Sequence, residues 1–325
     1  MKRVMCIGLA ASAFACCGML GSVMAAETYP NRPLRIVTPY GAGGSYDVIA
    51  RIMGQKLGEQ MGQQFVVDNR PGATGRIGME IGVKAAPDGY TLLVIGSSQT
   101  IAPSVHLKVP YDLKTGIQPL MMFATISNAA VIHPSVPAQN LQEFIALAKA
   151  KPGSLRFGSG GTGGITHLAG ELFTTLAGVK IDHVPYKAGA LATNAVLANE
   201  VQFYILNLLN SLPHVQANRL RALAVTGLKR SSFAPKLATL DELGLKGYDV
   251  IEFHSMALPP GTPKTVVNRL HGELSKALKT EDTIKRFSQL AAEITIGSPE
   301  DHAAYLLSEQ AKYAKIVNAI GLKPD

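Results

Sequence analysis

Leu34-Arg-Ile-Val-Thr-Pro-Tyr-Gly-Ala-Gly-Gly-Ser-Tyr-Asp47 is the stretch whose reading decides the fold. Leu34 to Thr38 is a short apolar, partly β-branched run, which predicts a buried strand. Pro39 ends it, and Gly41, Gly43 and Gly44 permit backbone angles and close approaches that a Cβ would forbid. Ser45 and Asp47 are residue types that cap helices. Apolar residues follow at Val48, Ile49, Ile52, Met53 and Leu57, so a helix begins here. Strand, glycine loop and helix start place free backbone N–H groups and the positive end of a helix dipole in one concavity, which favours an anion. Half of a pocket for a small carboxylate is one reading; a tight β–α turn with no ligand is the other.

Working outward, Gln64–Asp68 and Tyr90–Ile95 are further strands, and residues 75–86 form a helix between them. This β-α-β-α-β order implies a parallel sheet with helices on its faces. Such sheets bind ligands beyond the carboxyl ends of their strands, where the loops Gly41–Ser45 and Gly96–Thr100 both fall. Leu155–Phe157, the loop Gly158–Gly164 and a helix over 165–177 repeat the arrangement. Val179–Val184, Val201–Ile205 and Ala222–Val225 are more strands, with helices between. Two long strands, Met121–His133 and Tyr248–Leu258, are able to carry the chain from one domain to another and back. Helices over 263–279 and 299–320 close it.

Composition narrows the class. Lys2 and Arg3, the apolar run Ile7–Leu20 and the small residues of Val23-Met-Ala25 describe a cleaved signal peptide over residues 1–25, with Ala26 the alternative end and a lipid anchor at Cys16 or Cys17 the weaker option. The protein is therefore expected to be exported. All three cysteines lie in that leader, so the mature chain has neither disulfides nor a thiol nucleophile. The net charge of +8 falls to about +6 without the leader. Its basic residues are scattered and not interleaved with aromatics, which argues against nucleic acid.

Other motifs point elsewhere. Gly158, Gly160 and Gly163 fit G-x-G-x-x-G between strand and helix, with Asp182 further on, the spacing of a dinucleotide site. An exported oxidoreductase using this loop is the alternative function, although nicotinamide cofactors are not supplied outside the cytoplasm. His167 and Glu171 are spaced i, i+4 on a helix and suit two metal ligands, but no third is spaced to join them. Ser159 has no evident base for nucleophilic chemistry. Arg70 is either an ion-pair partner in the turn Asp68–Ala73 or a second carboxylate contact.

The motifs taken together resemble one family. Pro39-Tyr-Gly-Ala-Gly-Gly44 with Asp47 and Arg51, Asp68-Asn-Arg-Pro-Gly-Ala73, Pro87-Asp-Gly-Tyr-Thr-Leu92, Val109-Pro-Tyr-Asp112, His167-Leu-Ala-Gly-Glu-Leu-Phe173, His183-Val-Pro-Tyr-Lys187, Leu220-Arg-Ala-Leu-Ala-Val-Thr226 and Pro260-Gly-Thr-Pro263 occur in order. This set is similar to the Bug family, periplasmic receptors of tripartite tricarboxylate transporters. The resemblance implies an α/β, two-domain periplasmic binding protein (type II, Venus-flytrap) with two hinge-crossing strands. Domain 1 is then 26–127 plus 253–325, and domain 2 is 128–252. It implies a non-enzymatic monomer without cofactor or metal that closes on a small organic carboxylate and delivers it to the membrane subunits of a transporter. The implied ligand set is Tyr40, Gly43, Gly44, Ser45, Asp47, Ser97, Ser98, Thr100, Ser159, Gly160, Thr162 and His167, with Ala188 and Asn207 at the distal end. Backbone N–H groups of the two glycine loops hold the anion. The chain departs from the family pattern at Tyr186-Lys-Ala-Gly-Ala-Leu-Ala192, at Ala195 where an acid is common, and at Ile205-Leu-Asn207. A more apolar wall predicts a ligand other than a simple amino acid, with Tyr46, Tyr186 and Phe253 covering an aromatic or longer acid.

Overall fold

β1 (Leu34–Thr38) buries Leu34 and Ile36 against Ile49, Met53 and Leu57 of α1 (Ser45–Met61), as the apolar spacing of both segments predicts. These positions belong to a computed structural model, which describes residues 29–324. The leader expected over 1–25 lies outside the described residues. β2 (Phe65–Asn69), a single 3-10 turn at Ala73–Gly75, α2 (Arg76–Val83) and β3 (Thr91–Ile95) complete the first wound unit, and β1 pairs in parallel with both β2 and β3.

The segment after β3, expected as a loop, is helical instead: α3 spans Ser97–Val105 with Pro103 inside it. Proline there leaves the Gln99 carbonyl without its intrahelical donor. The Tyr111 hydroxyl donates to that carbonyl at 2.9 Å, so the buried oxygen is satisfied and the helix survives.

β4 (Gln118–Ile132) is the long strand, and it changes partners along its length. Residues 118–127 pair with β9 (Ile251–Leu258), whereas 128–132 pair with β7 (Phe203–Asn207) and β8 (Arg221–Val225). Between these elements come α4 (Leu141–Ala150), β5 (Arg156–Ser159), α5 (Ile165–Ala177), β6 (Asp182–Pro185), α6 (Gly189–Leu197) and α7 (Leu208–Gln216). The whole sheet runs β2-β1-β3-β9-β4-β7-β5-β6. After β9 come α8 (Lys264–Leu278), α9 (Glu281–Gln289), the two-residue β10 (Glu293–Ile294) and α10 (Pro299–Ala319). α9 was not anticipated from the sequence, yet it carries a cap: the Thr280 hydroxyl accepts from the Thr283 amide.

The fold is two-lobed. One set of buried side chains surrounds β1, β3, β9 and the first half of β4, and another surrounds β5, β7, β8 and its second half. At the crossing, Asn128 Nδ2 and Thr226 Oγ1 both donate to the Val250 carbonyl. α10 touches both sides, since Tyr313, Ile316 and Val317 pack with Ile101 and Val105 of α3 and Leu168 of α5.

His302, on the first turn of α10, is 1 % exposed, and both ring nitrogens lack a hydrogen-bond partner among the described residues. Burial alone pushes its pKa down to about 3. The unfolded chain takes up a proton near pH 6.5 that the fold refuses, so the stability is intact above that pH and lost as pH falls below it. Denaturant titrations should show this residue costing roughly 2–3 kcal/mol at pH 4.5 relative to pH 7. His302→Leu should remove that part of the slope.

Candidate functional site

Both glycine loops enter helices without a side-chain cap. Gly44 precedes α1 and Gly164 precedes α5 in extended conformation. The first-turn amides of each helix therefore point outward at the carboxyl ends of β1 and β5. Gly43 has φ +83°, the left-handed turn that sends the loop back to the helix.

Several loop amides are already engaged. The Gly43 amide donates to Asp47 Oδ2 at 2.9 Å, the Gly160 amide to Thr166 Oγ1 at 3.0 Å, the Gly161 amide to Ser159 Oγ at 3.2 Å and the Gly163 amide to His167 Nδ1 at 3.1 Å. Gly43 and Gly160, expected to hold an anion through their amides, spend those amides on shaping the loops. Gly44, Ser45 and Thr162 are left as the open donors. Asp47 is buried beneath the first loop, bound by Gly43, Asn69 Nδ2 at 2.9 Å and Arg51 at 3.0 Å. Burial pushes its pKa up, but these partners outweigh burial and hold it below the ordinary aspartate value. It supports the loop from below.

The first loop is wedged by aromatics. Tyr46 stacks on Tyr40 with centroids 3.7 Å apart, lies 4.3 Å from the His254 ring, and accepts from the Ser97 amide at 3.3 Å. Tyr40 donates to Gln99 Oε1 at 2.7 Å, and Ser98 lies beside its phenol. Ser97 and Thr100, expected as ligand contacts, are buried and turn inward, to the carbonyls of Ile251 and Ser97 respectively. Phe253 is fully buried edge-on to Tyr305 and does not line the cleft. Tyr46 is half-buried in its stack, and Tyr186 points its hydroxyl toward Glu200. Arg70 pairs with Asp68, the ion-pair reading.

Beneath the second loop, β6 brings His183 to Ser159 Oγ at 2.7 Å and stacks its ring 4.0 Å from that of His167. Parallel pairing of β5 with β6, not sequence spacing, makes the contact. His183 thus supplies both a basic neighbour for Ser159 and a third potential ligand beside His167 and Glu171, whose donor atoms lie within 4.8 Å of one another. Neither chemistry suits the geometry. Ser159 has no exposed surface, and burial with the neighbouring His167 pushes His183 down to about 4, a poor base. Stacked imidazoles send their in-plane lone pairs side by side, whereas a shared metal needs them to converge. The cluster is a prop for the glycine loop.

The dinucleotide reading also fails on register. Asp182 pairs with Arg156 at the start of β5, and the loop leaves after Ser159, opposite Pro185. The acid thus sits about 10 Å down the strands, at the end away from the loop, where no ribose on that loop meets it.

A cavity of about 360 Å³ opens beside the second loop, lined by Asn128, Thr166, Asn194, Asn207, Asn210 and Glu252 among others. Two larger grooves, along α3 and α10 and beside β10, lie away from both glycine loops. Of the expected ligand residues, Asn207 lines the cavity directly, and Ala188 adjoins Gly189 on its wall. Glu252 was missed. It joins both lobes: Oε1 accepts from Ser45 Oγ and lies 3.0 Å from His254 Nε2, and Oε2 is 3.4 Å from Asn207 Nδ2. The only signal was one acid in a strand run that is otherwise apolar apart from His254 and Ser255.

The chain is similar to known proteins over most of its length. The family model described as tripartite tricarboxylate transporter family receptor matches residues 49–322. Protein BugT of Bordetella pertussis is 32% identical over 306 residues, covering 94% of each chain. Among solved structures, the periplasmic binding protein BugD superposes with a TM-score of 0.79 at 30% identity, covering 91% of this chain and 100% of that one. R. palustris Rpa4515 with adipate gives 0.82 at 31% identity, with the same coverage.

Proposed function

The chain belongs to the tripartite tricarboxylate transporter receptor family, and from that premise we propose that its two lobes close on a small organic carboxylate. The observation that carries the reading is the pair of glycine-entered helices, α1 and α5, whose open amides at Gly44, Ser45 and Thr162 sit where parallel strands end. A carboxylate there gains backbone hydrogen bonds and the field of two helix N-termini. Adipate in a relative of the same family supports the ligand class. The lobes divide as 26–127 with 253–325 against 128–252, and the hinge lies where β4 changes partners at Ser127 and Asn128 and where β9 begins. The protein acts as a monomer without catalysis, exported after cleavage near Ala25, and hands its ligand to the membrane subunits of a tripartite transporter.

A thermal-shift series on the mature protein, unfolded and refolded to strip carried-over ligand, tests this. Carboxylate at about 100 times its dissociation constant should stabilise by about 2.7 kcal/mol, a rise of several degrees. A rise with NADH and with none of the carboxylates would overturn the reading.

A further inference from the structure

Strand alternation puts Glu252 and His254 of β9 on one face, with Phe253 turned away toward Tyr305. The Glu252 side chain is 13 % exposed, and that exposure borders the cavity beside the second glycine loop. It is the only acidic residue among those lining that cavity. An ionised carboxylate has about four acceptor positions. Oε1 accepts from Ser45 Oγ and lies 3.0 Å from His254 Nε2, whereas Oε2 has one long contact from Asn207. Burial pushes the Glu252 pKa up, but His254, Ser45 and Asn207 outweigh it and hold the group ionised below its ordinary value. A fixed negative charge with a spare acceptor therefore faces a space lined otherwise by neutral amides, hydroxyls and alkyl groups, with His214 at its edge.

We propose that Glu252 is a ligand-recognition residue that receives the protonated amine of an amino-carboxylate whose carboxylate rests on the open amides of the glycine loops. The inference rests on the carboxylate-receptor reading and narrows its ligand class. A dicarboxylate of equal length places its second charge against Glu252 in a space of low dielectric, whereas an ammonium group finds there the counter-charge that its burial requires. The acid absent from the Tyr186–Ala195 segment, on which the expectation of a ligand other than an amino acid was based, is thereby supplied from β9.

Isothermal titration of the refolded mature protein against matched sets tests this: butanoate, succinate and 4-aminobutanoate; glutarate and glutamate; hexanoate, adipate and 6-aminohexanoate. For the wild type, the amine-bearing member of at least one set should bind about tenfold or more tighter than its diacid. Glu252→Gln should erase that preference by weakening the amine and leaving or improving the diacid. A wild type that prefers diacids, or a Glu252→Gln protein with the preference unchanged, overturns the inference while leaving the receptor reading intact. Binding of no carboxylate at all overturns both. The wild-type ranking needs no variant, so a preference for diacids overturns the inference even where Glu252→Gln does not fold.

Discussion

Gly96→Ala is expected to lower the melting temperature by roughly 2–5 °C and to weaken carboxylate binding at least about tenfold. The backbone angles at Gly96 are ordinary extended ones, so the effect is one of space alone. A Cβ there falls 2.2 Å from Tyr46 Cε1 and 2.5 Å from its Cζ and hydroxyl oxygen. That ring has little freedom to retreat: Tyr40 lies parallel to it at 3.7 Å, and His254 packs at 4.3 Å. The neighbours are also tied together, since Gln99 Oε1 accepts from both the Gly96 amide and the Tyr40 hydroxyl. Overpacking a site of this kind costs about 1–3 kcal/mol. It also displaces Ser45, which adjoins Tyr46 and hydrogen-bonds Glu252. Gly41→Ala is the control, because its Cβ meets nothing within 4 Å. Equal melting temperatures for the two variants would mean that the aromatic wedge does not set the loop.

What the sequence revealed follows from how far apart the interacting residues lie along it. β1, its glycine loop and α1 were legible together because apolar spacing, turn residues and helix start occupy neighbouring positions, and each restricts the next. The partner change along β4 was visible only as a long run without a turn; its position at Ser127 and Asn128 depends on strands more than 70 residues away. The helix at Ser97–Val105 was hidden because Pro103 argues against it locally, and its compensation comes from the hydroxyl of Tyr111. In the candidate site, the glycine loops were found and their use was not. Whether a loop amide faces a ligand or its own support depends on where Asp47, Thr166 and His167 turn, and composition does not show that. Glu252 is the extreme case: its partners Ser45 and Asn207 are 207 and 45 residues away.

Asp47→Ala is the second large effect, with an expected loss of about 3–4 kcal/mol at pH 7. The carboxylate is 5 % exposed and accepts from the Gly43 amide, the Asn69 amide and the Arg51 guanidinium. Arg51 is half exposed, so the ion pair itself is worth little. Most of the cost comes from losing the hydrogen bonds that the Gly43 amide and Asn69 Nδ2 make to the buried carboxylate. Arg51→Ala, which leaves both of those bonds in place, should therefore cost no more than about 1 kcal/mol. The sign with pH is fixed by the lowered pKa of Asp47. Its contribution is complete above the unfolded value near pH 4 and disappears as pH falls through the folded one. The gap between wild type and Asp47→Ala in urea titrations should therefore be widest at pH 7 and narrow as pH falls through the folded value, and His302, present in both proteins, cancels from the difference. The same variant frees the Gly43 amide and lets the loop that presents Gly44 and Ser45 relax, so carboxylate affinity should fall with it. A protein that lost the stability and kept its affinity would show that Asp47 holds the fold without holding the anion site.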